Sequence, residues 1–152
     1  MSYTRGLQDI VQEYLEEGHR FPANASDIAA WAIEKGIWQP QRGDVIKQCA
    51  RQLAQAMREE YITDPQGRRV RAKHVLRMEK DGKQESFWTD IRIAKKPEME
   101  MSFQQRRQHI VGECKQLKTD VDSYNENFNP SKPIQSVFDF THDLEELEAI
   151  EI

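Results

Sequence analysis

Residues 68–77 read Arg-Arg-Val-Arg-Ala-Lys-His-Val-Leu-Arg, five cations with no carboxylate among them. Local clusters of this kind, rather than whole-chain charge, create the potentials that draw in polyanions. A second polar group precedes it, in residues 44–61, a stretch without Gly or Pro. Projected at about 100° per residue, this stretch gathers Asp44, Lys47, Gln48, Arg51, Gln52, Gln55 and Arg58 on one side. Ile46, Cys49, Ala50, Leu53, Met57 and Tyr61 fall on the other and form the expected buried stripe. Gln can bond adenine N6 and N7 together, and Arg can bond guanine O6 and N7, so such a face has the hydrogen-bonding capacity to read bases. Helix propensity on a solvated surface would also permit these residues.

Other chemistry has little to stand on. His19, His74, His109 and His142 are scattered over four segments, and no pair has the spacing of a helical metal site. Each is expected to be a surface or strand residue. Cys49 and Cys114 lie far apart on apolar stripes, where a free thiol behaves as a small buried hydrophobe. Gly36 and Gly43 are isolated turn glycines without the Lys and hydroxyl of a nucleotide loop. Glu16-Glu17 and Glu59-Glu60 are adjacent in helices and therefore point apart, which argues against an acid and base pair. Trp31 and Trp38 are expected in a core, while Trp88 shares a strand face with Arg92. No catalytic residue, metal or cofactor is expected.

The 152 residues suit one compact domain and an appendage, with 38% hydrophobic and 32% charged side chains and a formal charge of −4. That charge is a sum of unlike parts: residues 1–40 balance at −3, residues 41–96 at +6 and residues 97–152 at −7. An acidic total therefore does not exclude a polyanionic partner. No window approaches the roughly 18 apolar residues of a membrane helix, and the first residues lack the apolar core of a signal peptide. A reducing cytoplasm without disulfides is the expected setting.

Spacing predicts the elements that would carry these groups. Leu7, Ile10, Val11, Tyr14 and Leu15 recur at three and four and predict a helix ended by Gly18. Residues 24–27, Asn-Ala-Ser-Asp, offer caps to a second helix, which Gly36 would stop. Residues 36–43 form a turn into the third helix. Asp64-Pro65-Gln66-Gly67 then reads as a turn, and Val70, Ala72, His74, Leu76 and Met78 alternate with Arg69, Arg71, Lys73, Val75 and Arg77 as a half-buried strand. Asp81-Gly82 is a hairpin signal, and Phe87, Thr89, Ile91 and Ile93 mark the returning strand.

This order of elements resembles a winged helix-turn-helix domain over residues 5–95. The resemblance rests on the Ser26-Asp27-Ile28-Ala29 helix start and the Asp64-Pro65-Gln66-Gly67-Arg68-Arg69 passage into the wing. The turn between the second and third helices is longer than in the simplest helix-turn-helix. The resemblance implies a mainly α fold with a β-hairpin wing (α+β), a recognition helix at residues 44–60 and a wing at residues 70–93. It also implies duplex DNA as partner, with Lys47, Gln48, Arg51, Gln52 and Gln55 as base or backbone contacts. Arg68, Arg69, Arg71 and Lys73 would be phosphate contacts from the wing. A transcriptional regulator is the expected function. Such domains also dock proteins, so an adaptor in a larger assembly is the alternative.

Residues 1–96 would form that domain, and residues 97–152 a helical extension. Lys95-Lys96-Pro97 breaks the strand, and residues 98–127 predict one long helix. Phe103, Ile110, Cys114, Leu117, Val121, Tyr124 and Phe128 fall at gaps of 7, 4, 3, 4, 3 and 4, the seam of a coiled coil with Arg107 at its polar position. A homodimer through Phe103, Ile110, Cys114, Leu117, Val121 and Tyr124 is expected, with folding back on the last helix as the alternative. Residues 134–152, carrying Ile134, Val137, Phe138, Thr141, Leu144 and Leu147, predict a short acidic amphipathic helix that could take a protein partner or shield the basic wing.

Overall fold

Asn24 Oδ1 accepts the Asp27 N–H at 2.7 Å and Ser2 Oγ accepts the Arg5 N–H at 3.0 Å. These caps start α1 (Tyr3–Glu16) and α2 (Ala25–Glu34) where short polar side chains satisfy otherwise orphaned amides. Gly18 and Gly36 take φ of +96° and +74° just past the two helix ends, as expected of residues free to enter the left-handed region. The structure, a computed structural model, describes residues 2–40 and 43–150. Gln41 and Arg42 of the expected turn, and Glu151 and Ile152 of the acidic tail, lie outside the described residues. The chain divides into two compact units, Met1–Ala54 and Gln55–Ile152.

In the first unit the core is aromatic. Tyr14 is buried, stacks on His19 at 4.2 Å and meets Trp31 edge-on at 5.4 Å. Glu17 accepts from Lys35 (3.1 Å) and from the Trp31 indole (3.1 Å), and these bonds hold its carboxyl below its ordinary pKa. The third helix, α3 (Asp44–Arg58), departs from expectation. It buries no side chain: Ile46 is 82% and Leu53 57% exposed, and Cys49 is exposed too. The expected buried stripe of this helix is therefore not buried, because periodicity shows which residues share a side but not whether another element covers it. The helix also stops at Arg58, because Tyr61 leaves it for a strand.

In the second unit β1 (Tyr61–Thr63) pairs antiparallel with β2 (Arg69–Arg71), and β3 (Lys73–Lys80) with β4 (Lys83–Asp90). The expected single strand over residues 70–78 is thus broken at Ala72. Its amide donates to Glu60 O (3.0 Å) and its carbonyl accepts from Ile91 N (2.9 Å), so at Ala72 the chain passes in register from the β1 partner to the β4 partner. The Ala72 methyl group is fully buried. The alternation survives the break, with Ala72, His74 and Leu76 all buried. Asp81 and Gly82 both have positive φ, +52° and +79°, as a two-residue turn matching strand twist requires. Ile91 and Ile93 fall beyond the returning strand, because the Asp90 carbonyl accepts the Ile93 (3.1 Å) and Ala94 (2.9 Å) amides and turns the chain.

The long helix is α4 (Lys96–Asn127), with Pro97 in its first turn and Glu98 accepting the Lys95 amide at 3.1 Å. It docks on β3 through polar side chains. Gln105 accepts the Arg77 N–H (2.8 Å) and donates to the Arg77 carbonyl (2.9 Å), while Ser102, itself buried, donates to Val75 O at 2.6 Å. Farther along, Asn125 makes the same two-way bond with the Ile134 backbone, donating at 2.8 Å and accepting at 2.9 Å. That clamp corrects the expected last helix: Ile134, Val137 and Phe138 are not helical. Residues 133–140 carry no regular structure, and α5 (Thr141–Ile150) starts only where Asp139 accepts the Thr141 amide (3.1 Å) and hydroxyl (2.7 Å). The architecture is therefore mixed α+β and mainly helical, with two small antiparallel hairpins. Among the described residues no helix is long and apolar enough to cross a membrane.

Candidate nucleic-acid interface

The β1–β2 hairpin presents Arg68, Arg69 and Arg71. Its turn is shaped by Asp64, whose carboxylate accepts the Arg68 amide (2.7 Å), the Arg68 Nε (2.8 Å) and the Gln66 amide (3.1 Å). These bonds, the Arg68 amide first, hold the Asp64 carboxyl below its ordinary pKa. Arg68 is thus partly neutralised. Arg69 lies over the Tyr61 ring at 4.2 Å, within cation–π range. Arg71 instead lines a cleft.

Lys73, expected as a phosphate contact, is matched by two carboxylates, Asp90 at 2.7 Å and Glu60 at 2.8 Å, which raise the pKa of its ammonium. Asp90 also accepts three bonds from Arg92, from its amide, Nε and Nη2, at 2.9, 2.9 and 2.6 Å. Bonds from Arg92 and then Lys73 hold the Asp90 carboxyl far below its ordinary value of 3.8. A carboxyl depressed by folding stabilises the fold above that ordinary value, and the stabilisation is lost as pH falls. Asp90→Asn is accordingly expected to lower the thermal midpoint at about pH 7 and to flatten its fall toward about pH 3. Parallel acid limbs for variant and parent would show that Asp90 is not responsible.

The cleft has a volume of about 540 Å³ and lies in the second unit, between β3, the end of α3 and α4. Arg58, Arg71, Arg77 and Arg106 line it, together with Lys73, His74, Val75, Trp88, Ser102, Gln105, His109 and Ile110. Among the described residues no carboxylate lines it. Among the described residues none of these four guanidiniums has a carboxylate within ion-pair distance. Partial desolvation, and then the charge of Arg71, push Arg106 below its ordinary pKa, which places like charges close together. Arg58 sits over the Trp88 ring at 5.6 Å. His74 is no surface histidine: its Nε2–H donates to Arg71 O at 2.8 Å and Phe103 meets its ring edge-on at 5.5 Å, so it fixes the backbone that carries Arg71.

In the first unit, Lys47, Gln48 and Arg51 line another concavity of about 540 Å³ with Asp44, Pro40, Tyr3 and Trp38. The Trp38 indole donates to Tyr3 Oη at 2.9 Å. Gln52 is exposed, and Gln55 is tied to Glu59 at 2.7 Å. On α4, Phe103, Ile110, Leu117 and Tyr124 are exposed, while Cys114 and Val121 are half-buried. α5 buries no side chain.

Sequence reasoning missed Arg58, Arg77, Arg106, His109 and Trp88 as members of one site. One signal was present for the neutralised Lys73: counting outward from the Asp81-Gly82 turn pairs residue 73 with residue 90, the register observed. Opposite charges facing each other across strands are partners rather than free cations. Against known proteins, no family model, curated sequence or solved structure matches the chain.

Proposed function

We propose that the chain is a binding protein for nucleic acid that holds its phosphates through the cleft arginines and the β1–β2 hairpin. The observation that carries this reading is the convergence of Arg58, Arg71, Arg77 and Arg106 on one cleft without a carboxylate partner among the described residues. Four like charges brought together raise the energy of the free protein unless an anion binds among them. Guanidinium matches phosphate in geometry, with two parallel donors, and remains charged at any physiological pH. The exposed Lys47, Gln48, Arg51 and Gln52 of α3 support the further step of duplex DNA reading by a winged helix-turn-helix, as in a transcriptional regulator. Pairing of two chains through the exposed seam of α4 would bring two such surfaces to one DNA and multiply affinity.

The test is fluorescence anisotropy with a random-sequence duplex across a salt series. Four phosphates neutralised predict a slope of log affinity against log salt of about −3.6, and about a hundredfold loss between 50 and 200 mM salt. A slope near zero, or no binding at low salt, sinks the duplex reading. The second reading is a protein adaptor, favoured by the apolar residues that α4 and α5 leave exposed, among them Leu117 and Leu144. An adaptor predicts indifference to duplex DNA.

A further inference from the structure

Phosphate contacts account for the guanidiniums of the cleft but not for the indole among them. Trp88 pairs with Val75 across β3–β4 and lines the cleft, with the Arg58 guanidinium over its ring. A second aromatic residue has the same company. Tyr61 carries Arg69 over its ring and pairs with Arg71 across the hairpin. Two aromatic–guanidinium pairs thus flank Arg71 and Arg106 within one unit.

Interleaved aromatic faces and cations are what unpaired nucleotides need, because every base has a π-face to stack and every linkage a phosphate to neutralise. A duplex cannot use both, since its bases are already stacked inside and only phosphates and groove edges reach outward. The size agrees: about 540 Å³ falls within the range of sites that enclose a small ligand, enough for one nucleotide. A purely structural role for Trp88 leaves the ring of guanidiniums around it unexplained, whereas a stacked base and its phosphate would occupy both.

We propose that the cleft is a site for single-stranded nucleic acid, in which one unpaired nucleotide stacks its base on Trp88 and sets its phosphate among Arg71, Arg77 and Arg106. Arg58 swings off the indole to admit the base, and the Tyr61–Arg69 pair receives a neighbouring nucleotide. This rests on the reading of the cleft as a phosphate site and specifies the form of nucleic acid it takes. The chemical unit is a nucleoside 5′-phosphate, and a strand is favoured over a free nucleotide because the aromatic–arginine pairs are two and not one.

The test uses the full chain and three probes: labelled dT12, a blunt duplex of the same length, and free dTMP as competitor. Trp88→Leu and Trp88→Phe both keep apolar bulk beside Val75, but only Phe keeps a π-face, and Tyr61→Leu with Tyr61→Phe repeats the comparison if Trp88→Leu fails to fold. The expected result is a ratio of dT12 to duplex affinity that falls about tenfold in the Leu variant and recovers in the Phe variant. An unchanged ratio in the Leu variants, with duplex still bound, overturns the single-strand site and leaves phosphate binding standing. Binding of dT12 without binding of duplex upholds the site and removes the duplex reading instead. Competition by dTMP at the concentrations where dT12 binds assigns the cleft to a free nucleotide and overturns the strand, and absence of binding to every probe overturns both proposals.

Discussion

Reversing two charges in the cleft, Arg71→Glu with Arg106→Glu, is expected to weaken duplex and single-strand binding at least about a hundredfold and to halve the salt slope to about −1.8. Each substitution deletes a phosphate contact, and charge-assisted hydrogen bonds of this kind are worth roughly 1.5–3 kcal/mol each. Each also leaves a carboxylate facing phosphate, so the loss exceeds that of neutral variants. Neither guanidinium has an intramolecular ion-pair partner among the described residues, and removing them relieves the desolvation and then the repulsion that lower the Arg106 pKa. The fold is therefore expected to keep or gain stability while binding collapses, a combination that separates a ligand site from a structural network. A charge-matched control, Lys115→Glu with Lys132→Glu, carries the same change outside the cleft. Equal losses in control and cleft variants would mean that net charge, not this site, governs binding.

Leu76→Ala is expected to remove about 2–4 kcal/mol of unfolding free energy, a large share of the roughly 5–15 kcal/mol typical of a domain. Leu76 is 2% exposed, pairs with Phe87 across β3–β4 and lies on the same side of the hairpin as the buried His74. The buried apolar side chains of this unit are few among the described residues, Ala72 and Leu76, so each carries a large share of its core. Urea unfolding followed by circular dichroism measures the change, and the denaturant slope should stay near that of the parent. A loss under about 0.5 kcal/mol would mean that the core lies elsewhere.

Local chemistry made much of the fold legible. Asn24, Gly18, Gly36 and the Asp81-Gly82 pair act within a few residues of themselves, so their types alone predicted helix starts, helix ends and a hairpin that the structure shows. Burial was less legible, because it depends on what arrives from elsewhere: the apolar side of α3 has the right period and no cover. Residues 134–138 have an amphipathic spacing, but Asn125 holds Ile134 by its backbone in a form no helix allows. The cleft was the least legible part. Arg58 ends a helix, Arg71 and Arg77 sit on two strands of different hairpins, and Arg106 comes from α4, so only the docking of α4 on β3 makes them neighbours. Arg77 even lies within the cationic run that reading singled out, yet its fellows Arg68 and Lys73 are held by carboxylates.

The way α4 meets β3 has a further effect on how the protein behaves among its own copies. A two-stranded sheet ordinarily offers two open margins where a stranger's backbone can add itself, the usual start of strand-swapped aggregates. Gln105 presents an amide in the same donor and acceptor sense as a peptide group, and with Ser102 it occupies the Val75 carbonyl and both backbone groups of Arg77, which a third strand would need. One side-chain amide thus acts as a false strand and seals that margin. The same seal keeps the cationic side of β3 open to ligands while denying its backbone to other polypeptides.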